Sequence, residues 1–245
     1  MALLEFIGVP GSGKSTIAKR VKQQRECDGL PTLFREPIDA WIEGPDLPPR
    51  IRISCKDTLA AARVELCACR LAATVRPRRL EHFRNARRLA GWYRRTQYLS
   101  YVEDLVIQDE GVLNLVLATL LHGEQYATQP LTQLVRCVAS EPHRQFVYVR
   151  SSAGVTMQRR RRRAGHGESE REKLWRYEQA DAVQEEQIQH ECQMLHDVMA
   201  DAIRNVASAR MIVLNNEGSV DDAAAQVVEF IASRDNLAGA SRQAF

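Results

Sequence analysis

The sequence predicts an α/β fold, a five-stranded parallel sheet flanked by helices. Three observations predict it. Short apolar runs recur along the 245 residues, each followed by a stretch with helical spacing, the alternation that builds a parallel sheet covered on both faces. Polar or charged residues stand where four of those runs end, and in open sheets of this kind ligands gather at the carboxyl ends of the strands. The first run opens directly into Gly8-Val9-Pro10-Gly11-Ser12-Gly13-Lys14-Ser15, a match to the phosphate-binding signature G-x-x-x-x-G-K-[ST] in the strand–loop–helix setting it requires.

Residues 3–7 read as the first buried strand, and residues 16–23 begin the helix behind the loop. Residues 32–35 are a second short strand that stops at Glu36-Pro37, where proline disfavours helix at the residue before it. A proline-rich loop at 44–49 leads into a helix over 57–75, which Pro77 ends. A second helix spans 79 to about 101. Residues 105–107 are the third strand, followed by Gln108-Asp109-Glu110-Gly111. Helices over 113–121 and 131–139 precede a fourth strand, 145–149. A helix over 155–163 breaks at Ala164-Gly165-His166-Gly167, and a long polar helix covers 171–206. Residues 211–214 are the fifth strand, 220–233 the last helix, and the tail from Asn236 reads as frayed. No internal repeat appears, and one domain over residues 1–245 is expected.

In the loop, glycines permit the tight turn that brings successive N–H groups onto phosphate oxygens, and the helix N-terminus adds partial positive charge at the same place. Gly8 to Thr16 would bind the triphosphate, with Lys14 supplying a point charge for the β- and γ-phosphates and the Ser15 hydroxyl a magnesium ligand. Asp109 stands where a metal-holding carboxylate follows a strand, and Glu110 beside it can orient a water or accept a proton; the pair also fits as caps of the following helix. Glu36, at the end of the second strand, can take the proton of an attacking hydroxyl, or be a surface charge of its loop. Asp39 competes for that role, and Trp41 fits either as a wall for a planar substrate or as core.

Five consecutive arginines, 159–163, lie just before the Gly-His-Gly break. Arg159 and Arg163 share a helix face, and a planar guanidinium that never loses its charge suits a phosphoryl-transfer transition state. The glycines that follow supply a hinge for an arginine-rich lid at about 159–175. A second basic element, residues 76–95, holds eight arginines and one acid, Glu81. Arg84, Arg87, Arg88, Arg94 and Arg95 fall on one side of its helix and Ala86, Leu89, Trp92 and Tyr93 on the other. That face is either solvated or turned to an anionic partner, a substrate phosphate or a nucleic-acid backbone. Asn215-Asn216-Glu217-Gly218 is a plain strand-to-helix turn or a loop that holds a nucleotide base.

With 44% hydrophobic and 27% charged residues and a net charge of +3, the chain has an ordinary globular composition. No apolar stretch approaches a membrane span, and the N-terminus enters the first strand without a signal-peptide pattern, so a cytoplasmic protein is expected. The six cysteines have no metal-ligand spacing and are expected to be reduced.

These residues resemble the P-loop nucleoside and nucleotide kinases, the group of the thymidylate kinases and deoxyribonucleoside kinases. Arg35-Glu36-Pro37 is similar to the R-E-P of the former, and Glu36-Pro37-Ile38-Asp39-Ala40-Trp41 to the E-P-V-x-x-W of the latter, whose glutamate faces the substrate hydroxyl. Residues 145–163 resemble the family's segment from strand four into its lid, with the two lid arginines falling on Arg159 and Arg163. The resemblance implies a P-loop NTPase fold with a substrate-side helical region at about 44–103 and an ATP- and magnesium-dependent kinase. Lys14, Glu36, Asp109, Arg159 and Arg163 would be catalytic, Glu36, Trp41 and Glu110 would face the acceptor, and Ser15 and Asp109 would hold the metal. Three features depart from the pattern: Glu110 stands where an arginine usually follows the acid, Arg150 stands where an aspartate often follows strand four, and the second helical region is far richer in arginine than the family's. A nucleoside-like small molecule is the first acceptor considered, a polynucleotide hydroxyl the second. Asp109-Glu110 also resembles the D-E of ATPases that switch without phosphorylating anything.

Overall fold

The computed structural model describes residues 3–35, 55–75, 79–99, 105–109, 111–120, 127–164 and 182–243. Its strands are β1 (Leu3–Ile7), β2 (Thr32–Arg35), β3 (Leu105–Gln108), β4 (Arg144–Arg150) and β5 (Met211–Asn215). They pair in the order β2-β3-β1-β4-β5, all in parallel. The helices among the described residues are α1 (Lys14–Cys27), α2 (Cys55–Thr74), α3 (Arg79–Leu99), α4 (Val112–Leu120), α5 (Thr128–Ala139), α6 (Ala153–Ala164), α7 (Ala182–Ala207) and α8 (Val220–Gln243).

Alternate side chains of a strand face opposite ways, and here both faces are covered. Leu4 and Phe6 of β1, with Val147 and Val149 of β4, pack on Ile17 and Val21 of α1 and Val227 and Ile231 of α8. Ile7, Phe146 and Tyr148 face the other layer, built by α2, α3, α4, α5 and α7. In that layer the Cys67 and Cys137 sulfurs lie 3.6 Å apart as free thiols, and burial pushes Cys67 up to about 11.

Element ends move by a few residues from the sequence expectation. Helix α5 begins at Thr128 and not after Pro130, because a proline in the first turn lacks only an N–H that the helix does not use there. Helix α8 continues to Gln243, through the tail expected to fray; Leu237, Ala238, Ala240 and Arg242 are good helix formers and Gly239 costs only about 1 kcal/mol. The expected start of the long helix, 171–181, lies outside the described residues.

One charged residue sits inside the first strand. Glu5 is fully buried and makes a 2.9 Å ion pair with Arg144, itself buried at the start of β4. The Leu113 N–H donates to Glu5 Oε1 at 2.7 Å, so this carboxylate also caps the N-terminus of α4. Gly111 makes room for it, since a Cβ there would lie 2.1 Å from Glu5 Cδ. Arg144 in turn donates to the Thr96 hydroxyl and lies over the Tyr93 ring, 5.2 Å from its centroid.

Because every pairing is parallel, β1, β3, β4 and β5 end at one edge of the sheet. Gly8, Asp109, Ser151 and Asn216 are the residues that follow those ends.

Candidate active site

Strand β1 runs straight into the glycine loop. Gly8 and Gly13 adopt positive φ, 145° and 95°. A Cβ at Gly8 would come within 2.3 Å of the Val149 carbonyl oxygen, and one at Gly13 within 2.3 Å of Asn216 Nδ2, so conformation and space both demand glycine. Gly13 is also the N-cap of α1, with no side-chain cap and no acid in the first turn. The positive end of this helix is therefore left uncompensated at the loop, which is what an anion site needs. The Lys14 ammonium donates to the Gly8 and Val9 carbonyls at 2.6 and 3.1 Å, closing the loop over its own base. Ser12 Oγ is buried and has no hydrogen-bond partner among the described residues.

The loop is tied down from three segments that meet at one atom. The Ser12 carbonyl accepts from Asn216 Nδ2 at 2.6 Å, from Arg159 Nη1 at 3.2 Å and from the Ser151 hydroxyl at 3.3 Å. The same hydroxyl lies 3.1 Å from the Asn216 carbonyl, and the Asn216 N–H donates to the Arg150 carbonyl at 2.7 Å. The sequence marked Asn216 only as part of the 215–218 turn and Ser151 only as a polar strand end; their hold on the phosphate loop shows first in the structure.

On the other side of β1 stands Asp109. It follows β3, whose Gln108 is in register with Glu5, so Asp109 lies beside the stretch that enters the loop. It is buried, and its Oδ1 has no hydrogen-bond partner among the described residues. Asn114 braces this corner, donating from Nδ2 to the Phe6 carbonyl at 3.1 Å and the Asp109 carbonyl at 3.3 Å. An unpaired buried carboxylate oxygen beside a phosphate loop fits a cation held between them, with half-buried Ser15 in the first turn of α1 as the other protein ligand.

The loop also adjoins a cavity of about 300 Å³ at the ends of β4 and β5, between α6 and α7. Ser151 lines it and bonds the loop. Gln189, Gln193 and Glu217 give it hydrogen-bonding walls, and Glu217 Oε1 accepts from the Ser152 N–H at 3.1 Å.

Behind the loop, α7 places a buried histidine. Cys192, Leu195, Met199 and Ile203 form its apolar stripe, and His196 lies on that stripe. Its Nδ1–H donates to the Cys192 carbonyl at 2.7 Å, leaving Nε2 without a hydrogen bond among the described residues. Burial, reinforced by the Lys14 ammonium and opposed by the Cys192 and Gly8 carbonyls, pushes it from 6.5 down to about 3. The unfolded chain thus binds this proton more readily than the folded one. The stability that neutral His196 allows is complete above pH 6.5 and is lost as pH falls toward about 3, at up to about 1.4 kcal/mol per pH unit. His196→Gln is expected to flatten this part of the acid dependence, measured as the difference from the parent in urea midpoints across that range. Equal slopes would mean that the ring titrates normally.

One more residue expected at the site meets the loop. Arg159 is half-buried, with its guanidinium on the Ser12 carbonyl and 3.5 Å from the Ser151 hydroxyl. The backbone of Arg163 is in α6, and its side chain lies outside the description. Glu36, Asp39, Trp41 and Glu110 lie outside the described residues. Arg150, at the departure after strand four, is half-exposed and 3.5 Å from Asp197.

No family model matches the sequence, and no curated protein matches it. Solved structures do. A deoxyadenosine kinase from M. mycoides, with dCMP and a flexible dCDP bound, is similar over 94% of this chain and 99% of that one, at 14% identity and a TM-score of 0.52. Shikimate kinase from Acinetobacter baumannii, in complex with shikimate, aligns over 96% of this chain and 94% of that one, at 15% identity and a TM-score of 0.45. The chain has the α/β fold of the first of these, a parallel sheet flanked by helices as in P-loop kinases.

Proposed function

We propose that this chain is an ATP- and magnesium-dependent kinase that transfers the γ-phosphoryl group to a hydroxyl or phosphate of a nucleoside-like small molecule. The observation that carries the reading is the uncapped N-terminus of α1, fronted by the glycine loop and Lys14 and flanked by Asp109 with its unpaired buried oxygen. A fold shared with a deoxyadenosine kinase supports the same chemistry.

In this reading residues 8–16 bind the triphosphate through backbone N–H groups, and Lys14 leaves its own carbonyls for the phosphates. Ser15 and Asp109 hold the magnesium ion, which neutralises phosphate charge when bound. The cavity beside Ser151 and Glu217 takes the base and sugar of the donor, since it opens from the loop's own anchor. Glu36 accepts the proton of the acceptor hydroxyl, Trp41 and Glu110 contact the acceptor, and Arg159 and Arg163 offset charge as the lid closes. Catalysis is then positioning and electrostatics.

A thermal-shift panel of nucleosides, nucleotides and sugars, with a non-hydrolysable ATP analogue and magnesium, tests the reading. The analogue alone is expected to raise Tm, since a ligand at a hundred times its Kd stabilises by about 2.7 kcal/mol. A nucleoside-like acceptor should add a second shift and then accept label from γ-labelled ATP. No shift with any triphosphate at millimolar concentration would sink the proposal, and phosphate release untouched by every acceptor would make the protein an ATPase.

A further inference from the structure

We propose that the outward face of α3 is a docking surface for a single nucleic-acid strand, a partner separate from the small-molecule site. Arg84, Arg87, Arg88 and Arg94 are exposed on that face, with Gly91 between them. It lies opposite His82, Ala86, Leu89 and Tyr93, which are buried in the core. Arg84, Arg87 and Arg88 make no ion pair among the described residues. Arg94 pairs with Glu65 of α2, at 3.6 Å. That contact, and the influence of Arg87 on the Cys69 thiol, set α2 antiparallel alongside.

The chemistry of the row selects the partner. Every cation on it is arginine, whose planar fork fits phosphate oxygens, and no lysine occurs in the helix. The stretch from Arg84 to Arg94 is about 15 Å long at 1.5 Å per residue, the axial reach of about four phosphates of one strand. Phe83, 38% exposed, and half-buried Trp92 border the row on its two edges, where bases can stack. A membrane surface fits poorly, because an interfacial helix buries its apolar face in lipid and the apolar face of α3 is already in the core.

Fluorescence anisotropy of the full chain with a labelled 20-nucleotide single strand, from 20 to 200 mM salt, tests the proposal. Binding is expected to weaken with log[salt] at a slope of about −2 to −3, as for three or four neutralised phosphates. R84E/R87E/R88E should weaken binding at least about tenfold and flatten that slope. It should leave the ATP-analogue thermal shift unchanged, which separates this surface from the phosphate loop. Arg204→Glu, on the exposed side of α7, serves as a charge control and should have little effect. The proposal is overturned by absence of binding at 20 mM salt, or by a triple variant that binds like the parent. It is equally overturned if acidic polypeptide or anionic phospholipid vesicles bind the arginine row and the oligonucleotide does not.

Discussion

Lys14→Met is expected to lower kcat/KM for phosphoryl transfer at least about a thousandfold, the scale lost when a charge aimed at a phosphoryl transition state is removed. The ammonium donates to the carbonyls of its own loop, at Gly8 and Val9, and methionine keeps the unbranched stem while removing the charge. Fold stability should therefore change little, and the thermal shift from the ATP analogue should shrink or vanish. Transfer of γ-label to the acceptor found in the nucleotide panel measures the first effect, and a melting curve without ligand checks the second. Turnover within tenfold of the parent would place the reaction somewhere other than this loop.

The second large effect concerns folding. Arg144→Met leaves Glu5 buried without its counter-charge, and breaking such a pair costs about 3–5 kcal/mol. For a chain of this size that is a drop in Tm on the order of 10 °C. Burial already holds the Glu5 carboxyl above its usual 4.5, while Arg144 and the Leu113 N–H pull the other way. Without Arg144 the folded-state value rises further. A group shifted up in the folded state contributes most below its unfolded value, so the defect should narrow as pH falls toward 4.5. Glu5→Leu combined with Arg144→Met should be more stable than Arg144→Met alone, because it removes the stranded charge and forfeits only the cap on α4, about 1 kcal/mol. Denaturant midpoints of the parent, the Glu5→Leu and Arg144→Met single variants and the double variant decide it: additive losses would show that the two side chains act separately.

Much of the fold was legible because its signals are local. Apolar runs, a glycine loop and helical spacing each declare themselves within about ten residues. The pairing order was not legible, since it depends on which strands meet. Glu5 shows the limit well. The run at residues 3–7 read as a short apolar strand, and its central carboxylate acquires meaning only through Arg144, which lies 139 positions along the chain. His196 was hidden in another way: it lies on the apolar stripe of α7, but the helix as a whole reads as polar. At the site, the loop and Asp109 were marked by strand ends, whereas the convergence of Ser151, Asn216 and Arg159 on one carbonyl required β4 and β5 to be placed side by side.

That convergence has a mechanical consequence. A carbonyl oxygen has two lone pairs, and three donors crowd the one at Ser12. The Ser151 proton can swing between that oxygen and its neighbour at Asn216. Arg159 is thus parked and not committed: when it swings away, the oxygen keeps two donors and the loop stays moored. Under the proposed function, a guanidinium held in reserve beside the loop would be free to turn toward incoming phosphate without unseating the loop itself.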